Sequence, residues 1–578
     1  MSILKKFIMF LFVFTLLIGQ ATSWACTTII VGKDATADGS VIVAHSDDDV
    51  DDERVAYVPA ADHKPGSMRP VYYDNCSLGL DKRYNATEVR RYVGTDRGAV
   101  YDTKDYAPSK PVGYIPQVAH TYAYFDSNYG MMNEHQLMIG ECTCGAKEEP
   151  GPEPGKRIFY SSELSRVALE RCKSAREAIL LIGKLIKEYG YYGTGETLLI
   201  GDSKEGWVLE MCGYDKNGKD GIWVAKRVPD NGLFVEANEF RIREVKKNSP
   251  DMMYSDNLFK VCQEKGWWNP KDGELDWLKA VSWGEYGHPY YSLRRVWGVF
   301  RKANRSLNLP AWVKDGYTNA YPFSVVPDKK LTVADVMDLY RDHYEGTEFD
   351  MTKGKAAGPF GNPVRFEKNP DQDDTNNLNT FKPKGAWERP LSIYRCGVSW
   401  ILQARSWLPD PVGGVCWIGL DRPATTCLMP FYAGVNGLPR SLEKMNILEF
   451  NRRSAWWAFN FVANYATLKY SYMIKDIKAK QKELEGRAYA MQPAIDQAAL
   501  TLYKNGNEKL CREYLTSFCN TNAEQVISEW WKLSGNLIVK YNNGCITTEK
   551  EVMKRVGYPD WWLKDAGYYK GPISYKKP

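Results

Sequence analysis

The segment that most constrains this chain is its first 25 residues. Lys5 and Lys6 precede an apolar run from Phe7 to Ile18, broken by Thr15, and the segment closes on Ser23-Trp24-Ala25. A basic start, a short apolar stretch and small residues at alternate positions before the cut form a secretory signal. The run of about a dozen residues falls short of the ~20 that a helix needs to cross a bilayer. No later stretch approaches that length, so no membrane span is expected. The reading is an exported chain, periplasmic or secreted, that loses residues 1–25 and begins at Cys26.

A cysteine at a new N-terminus has two chemical uses. It can be acylated, anchoring a surface lipoprotein, or it can act as a nucleophile. Lipoprotein signals favour an aliphatic residue three positions before the cysteine and a polar tether after it. Here Ser23 and Trp24 precede Cys26, and the β-branched run Thr27-Thr28-Ile29-Ile30-Val31 follows, which is strand material. As a nucleophile, an N-terminal cysteine carries a thiol with a pKa near ~8.5 and an amine near ~7.7 to 8.0, so one residue supplies both attacking group and base.

Composition removes other classes. With 578 residues, 44% hydrophobic and 25% charged, the chain has enough apolar material for a folded core. Lys and Arg total 76 against 71 Asp and Glu, without a long basic block, so no nucleic-acid partner is expected. The 13 cysteines are too sparse for a disulfide-stapled miniprotein and contain no C-x-x-C pair. In an oxidising compartment those other than Cys26 have disulfides open to them, although Cys142 and Cys144 are too close in sequence to pair with each other. No histidine pair has metal-ligand spacing, so neither a catalytic metal nor a cofactor is expected.

Thr27 to Gly32 and Ser40 to Ser46 read as two strands joined by Lys33–Gly39, a hairpin. A turn centred on Thr36 sets Cys26 opposite Ser46, with His45, Asp47 and Asp48 close to its amine and thiol. The acidic run from Asp47 to Glu53 reads mostly as a solvated loop; Asp48 stands apart because a carboxylate there can orient an α-ammonium. Asp371 to Asp374 read as an exposed polar loop, and Asn75, Asn85 and Asn304 are glycosylation acceptors where the exporting cell glycosylates.

The stretch from Cys26-Thr-Thr-Ile-Ile-Val-Gly to Ala44-His-Ser-Asp-Asp48 resembles the opening of the N-terminal-nucleophile cysteine dipeptidases, the dipeptidase A and secernin-like relatives of choloylglycine hydrolase and penicillin V acylase. Further segments are similar to the same family and follow its order. They are Thr121-Tyr-Ala-Tyr124, Gly130-Met-Met-Asn-Glu-His135, Phe234 to Ile242, Arg294-Arg-Val-Trp297, and Leu408-Pro-Asp410 through Trp417 to Asp421. The resemblance implies an α+β fold, a four-layer αββα sandwich, acting on dipeptide substrates through a thioester. Carried over, Cys26 is the nucleophile, Asp48 the nearby carboxylate, Asn238 the oxyanion-binding amide and Arg295 the arginine of the Arg-Val-Trp motif, with His45 and Asn133 as substrate-binding candidates. In the wider superfamily an Arg-Asn pair usually precedes the aspartate by three and two residues, where this chain has His45 and Ser46. Bile-salt or penicillin V type amidase activity, and a non-catalytic lipoprotein acylated at Cys26, are the alternatives.

His135 reads as part of a turn packing near the site. The sequence divides into the address at 1–25, a catalytic domain at 26–437 and a mostly helical extension at 438–578. In the extension, Arg452–Phe461 and Ile474–Tyr489 fit amphipathic helices whose aromatic faces pack on the sandwich. Glu148–Gly155 reads as an exposed proline-rich loop.

Overall fold

The computed structural model describes residues 26–49, 54–73, 92–101, 108–215, 218–219, 221–285, 291–313, 315–366, 388–445, 447 and 449–568. Residues 1–25, the acidic run beyond Asp49, Asp371–Asp374, Asn75 and Asn85 lie outside the described residues.

Two antiparallel sheets organise the chain. Their strands, in chain order, are β1 (Thr27–Val31), β2 (Val41–Asp47), β3 (Ala56–Val58), β4 (Tyr124–Asp126), β5 (Gly130–Asn133), β6 (Met138–Cys144), β7 (Gly195–Gly201), β8 (Gly206–Gly213), β9 (Gly221–Val228), β10 (Leu233–Glu236), β11 (Met252–Tyr254), β12 (Ser324–Val325), β13 (Val398–Ala404), β14 (Val415–Leu420) and β15 (Met429–Tyr432). One sheet has the order β12-β10-β1-β2-β13-β14-β15, the other β11-β9-β8-β7-β6-β5-β4-β3. The strand carrying the candidate nucleophile is thus internal, flanked by β2 and β10. All five residues of β1 and all seven of β2 are buried. This explains why both read as near-continuous apolar, β-branched runs rather than as an alternating edge.

The sheets meet face to face, and glycines set how closely. A Cβ on Gly201 of β7 would lie 2.7 Å from Val43 Cγ2, and one on Gly206 of β8 would lie 2.6 Å from Ile30 Cγ2. Side chains there would force the sheets apart, so these positions fix the approach of β1 and β2 to the opposite layer.

On the outer face of the eight-stranded sheet lie α1 (Ser161–Arg171) and α2 (Ala175–Tyr189). A capping box between Ser174 and Glu177 starts α2. Its Ile179, Ile182 and Ile186, at helical spacing, share a buried cluster with Leu198 and Ile200 of β7. Two further helices help to frame the site: α3 (Ser292–Ala303) and α4 (Val333–Tyr340).

The C-terminal region forms α5 (Ala455–Ala466), α6 (Tyr470–Lys504) and α7 (Glu508–Tyr541). They pack by aromatic contacts: Trp417 of β14 lies 4.8 Å from Tyr489 of α6 between ring centroids, and Phe459 of α5 lies 5.3 Å from Trp530 of α7. One hydrophobic cluster runs from Ile29 to Tyr541, so these helices share the core of the sheet they cover. The α+β class and the aromatic packing of the helices agree with the sequence reading. No helix among the described residues is long and apolar enough to cross a membrane. The twelve described cysteines are all free thiols in buried positions.

Candidate active site

Cys26 is buried immediately before β1, at 1% exposure. The hairpin beside it corrects the expected register by one residue. Thr27 pairs with Ser46, Thr28 with His45 and Val31 with Ile42, so the centre falls between Thr36 and Ala37 rather than on Thr36. The connection is braced from within by Thr36 Oγ1, which donates to the Ser40 carbonyl at 2.7 Å, and from outside by distant backbone. Gly32 is bonded to Gly232, and Ala35 and Ala37 exchange backbone hydrogen bonds with Leu331. Continuing the pairing aligns Cys26 with Asp47. Antiparallel partners share a face and neighbours alternate, so Cys26, Thr28, His45 and Asp47 face one way and Ser46 the other.

Arg295, from α3, ties the site together. Its Nη1 donates to the Cys26 carbonyl oxygen at 2.6 Å and to Thr27 Oγ1 at 2.9 Å, and its Nη2 donates to Asn238 Oδ1 at 2.6 Å and to the Ala237 carbonyl at 3.2 Å. Nε donates to the Tyr291 carbonyl at 3.0 Å, and the guanidinium lies 4.8 Å from the centre of the Tyr291 ring. Asn238 follows β10 with a left-handed backbone, φ 61°, a conformation asparagine tolerates better than most residues. Its Nδ2 donates to the Thr143 carbonyl at 2.7 Å, and its backbone N–H donates to Cys142 Sγ at 3.0 Å. The Cys142 thiol donates in turn to the Cys26 carbonyl at 3.4 Å, and the Tyr340 hydroxyl of α4 donates to the Thr27 carbonyl at 3.1 Å.

Asp48 closes another side. Its Oδ2 accepts from Arg389 Nη2 at 2.7 Å and from Ser46 Oγ at 3.1 Å, while buried Oδ1 has no hydrogen-bond partner. Both side chains of the Asp48–Arg389 pair are fully buried. Position 45 holds a histidine where the wider superfamily usually has arginine; the guanidinium that neutralises Asp48 comes from a segment 341 residues further along.

His45 stacks on Trp400 at 4.1 Å between ring centroids. Its Nδ1 lies 2.8 Å from the Glu141 carbonyl oxygen and 3.2 Å from the Glu141 amide nitrogen; in the tautomer protonated at Nδ1 the first contact is a donated hydrogen bond and the lone pair is on Nε2. Burial lowers the pKa of the imidazole to about 3, against the smaller opposing effect of the Glu141 backbone, so the ring is neutral across ordinary pH. Cys26 Sγ, a His45 ring nitrogen and a Glu141 carboxylate oxygen lie within 4.8 Å of one another. Burial, then the neighbouring acidic groups of Glu141, Asp47, Cys142 and Asp48, hold the Cys26 thiol well above its ordinary pKa. A thiol so placed needs a local base or a cation to become a nucleophile.

The peptidase family C69 model matches residues 25–483, from the residue before Cys26 through the whole of this constellation. The chain belongs to peptidase family C69. It is 28% identical over 435 residues to a probable dipeptidase of Salmonella dublin, covering 75% of this chain and 86% of that protein. It is 25% identical over 528 residues to a probable dipeptidase of Latilactobacillus sakei, covering 88% and 96%, and 25% identical over 528 residues to a probable dipeptidase B of Lactococcus lactis subsp. lactis (strain IL1403), covering 89% and 95%.

Within this C69 chain, the residues singled out from sequence distribute unevenly. Cys26, Asn238 and Arg295 share direct contacts, and the Asp48 charge reaches both Cys26 and Arg295. The arginine doublet is split, since Arg294 Nε donates to Glu388 Oε2 at 2.7 Å while Arg295 serves the site. Asn133 is engaged elsewhere. Its Nδ2 donates to the Leu169 and Cys172 carbonyls and its Oδ1 accepts from the His135 and Leu137 amides, a turn clamp from which no described contact reaches Cys26. His135 binds Asp410 Oδ2 at 2.9 Å. The sequence reading passed over Arg389, Glu141 and Tyr340, and weighed Cys142 only as a disulfide partner, whereas its thiol donates to the Cys26 carbonyl.

Proposed function

We propose that this C69 peptidase is an exported dipeptidase that uses Cys26, freed by removal of residues 1–25, as an N-terminal nucleophile in a four-layer αββα hydrolase fold. The observation that carries the reading is the Arg295 fork, which links the Cys26 carbonyl to Asn238 Oδ1 and so fixes the start of the chain against the amide assigned to the oxyanion. The names of the relatives support the dipeptide substrate class.

In this mechanism the freed α-amine takes the thiol proton, directly or through a water, and the sulfur attacks the peptide carbonyl. The new ammonium charge also offsets the carboxylates that raise the thiol pKa. Asp48 Oδ1, buried and without a partner, is assigned to hold that ammonium. Negative charge developing on the carbonyl oxygen is stabilised by the Asn238 amide and a backbone N–H. The amine protonates the leaving amino group, and water then hydrolyses the thioester to release the N-terminal amino acid. His45, neutral and on the nucleophile's face, is assigned to the substrate side of the site.

The test is a substrate panel on the purified mature protein and on Cys26→Ser. Hydrolysis of dipeptides that the variant loses supports the reading; preference for conjugated bile salts or penicillin V moves the chain to the amidase alternative. Undiminished dipeptide hydrolysis by Cys26→Ser overturns the nucleophile assignment.

A further inference from the structure

The clustering of Cys26, His45 and Glu141 carries a consequence that peptide hydrolysis does not require. Three donors of different type, a thiol, an imidazole and a carboxylate, have ligand atoms within 4.8 Å of one another in a fully buried spot. Around a zinc ion, ligand bonds of about 2.0 to 2.3 Å in tetrahedral array place donor atoms roughly 3.3 to 3.5 Å apart, so a contraction of up to about 1.5 Å completes the geometry.

The second observation is how His45 is held. Its Nδ1 faces the Glu141 backbone, 2.8 Å from the carbonyl oxygen and 3.2 Å from the amide nitrogen, its ring is pinned on Trp400, and its buried Nε2 has no hydrogen-bond partner, so the tautomer protonated at Nδ1 leaves Nε2 bare. A ring nitrogen donating to a backbone carbonyl while the other is left bare is the arrangement that orients metal-ligating histidines and raises their basicity. The carbonyl belongs to Glu141, so one residue positions the imidazole and offers the neighbouring ligand oxygen. Thr143 Oγ1 donates to Glu141 Oε1 at 2.9 Å, a hydrogen bond to a ligating carboxylate of the same supporting kind.

We propose that Cys26 Sγ, His45 Nε2 and the Glu141 carboxylate form a binding site for a thiophilic divalent cation of the zinc class, and that the bound metal silences the nucleophile. The thiol proton passes to solvent as the sulfur–metal bond forms, and the sulfur lone pair needed for attack is committed to the metal. Once residues 1–25 are removed, the α-amine of Cys26 becomes a fourth donor that closes a five-membered chelate with its own sulfur. The metal in this scheme is an inhibitor competing with substrate, not a participant in catalysis. The three-side-chain site stands on the geometry alone; the amine ligand and the inhibition rest on the N-terminal-nucleophile reading.

Cobalt(II), which reports thiolate ligation by a charge-transfer band, tests this on the mature full chain. One equivalent is expected to give that band together with the visible bands of a tetrahedral site. Cys26→Ser removes the charge-transfer band, and His45→Ala and Glu141→Gln each weaken binding by more than about 100-fold, beyond what loss of a supporting contact costs. Wild-type protein loaded with zinc needs no folded variant: X-ray absorption is expected to report one sulfur and three nitrogen or oxygen neighbours. Zinc should inhibit dipeptide hydrolysis reversibly, with chelator restoring the metal-free rate. Cobalt bound without a thiolate band, a band unchanged in both His45→Ala and Glu141→Gln, or a zinc shell with no sulfur or several sulfurs overturns the site. Full hydrolysis with the metal bound overturns the inhibition. Tight binding at Cys26 by a protein that hydrolyses no dipeptide contradicts the proposed function and leaves the metal site standing, so the two failures are distinguishable.

Discussion

Arg295 donates to the carbonyl oxygen of Cys26 and to Asn238 Oδ1, both at 2.6 Å, from 269 and 57 residues away along the chain. A planar guanidinium can satisfy two acceptors in a fixed fork, whereas a lysine ammonium is a single mobile point charge. Arg295→Lys is therefore expected to keep the fold, measured by circular dichroism, and to lower kcat/KM on a dipeptide by roughly 10²-fold, the scale of losing one oxyanion-site contact. An unchanged kcat/KM contradicts the positioning role.

Asp48 and Arg389 form an ion pair with no solvent exposure on either side chain. Removing one member of such a pair leaves a buried charge uncompensated at a cost of about 3–5 kcal/mol. Arg389→Met is expected to lose that much in urea denaturation, and Asp48→Asn added to it is expected to recover part of the loss. Additive destabilisation in the double variant contradicts the pairing.

His45, lowered to about 3 by burial, stays neutral while an unfolded histidine titrates near ~6.5. The folded value is depressed, so protons favour the unfolded state: stability is expected to fall as pH drops from about 6.5 toward 3. His45→Gln removes that part of the slope. The acidic limb of the kcat/KM profile near neutrality is expected to persist in this variant, because the titrating base is assigned to the Cys26 amine; loss of the limb would reassign the base to His45.

Glu210 has the opposite sign. Burial raises its pKa to about 7, against the Arg241 and Ile242 amides that donate to its Oε1 at 2.7 and 2.9 Å. The folded state holds a proton that the unfolded state releases near ~4.3. Its contribution to stability is full below that pH and is lost as pH rises toward 7. Glu210→Gln keeps an acceptor oxygen for both amides. The variant is expected to flatten the decline of Tm between pH 5 and 7, measured by scanning calorimetry.

Local pattern carried much of this site and stopped at identifiable places. The expected cleavage after Ala25 is what sets Cys26 apart from the other cysteines, and β-branched runs announce β1 and β2 because both are buried inside their sheet. Asp48 stood out by its place beside the hairpin, and the family resemblance brought Asn238 and Arg295 forward as candidates. The hairpin register differs by one from the expected pairing: Leu331 and Gly232, far along the chain, grip a connection that Thr36 and Asp38 also brace from within. Arg389 answers Asp48 across 341 residues and Tyr340 reaches Thr27 across 313, contacts created by packing and invisible to any window of sequence. His45 and Asn133 show the same limit: residue type marked both, but the partners that decide what each side chain has left to offer are backbone groups of Glu141, Leu169 and Cys172.

The central claim is that Cys26 becomes residue one and forms the acyl bond. Peptide mapping by mass spectrometry, on mature protein quenched with acid during dipeptide turnover, tests it directly. The account predicts an N-terminal peptide beginning at Cys26 with a free α-amine and, in a fraction of molecules, the mass of the substrate's first amino acid on its thiol. A chain that retains residues before Cys26, a lipid on that residue, or the acyl group on any other side chain contradicts it.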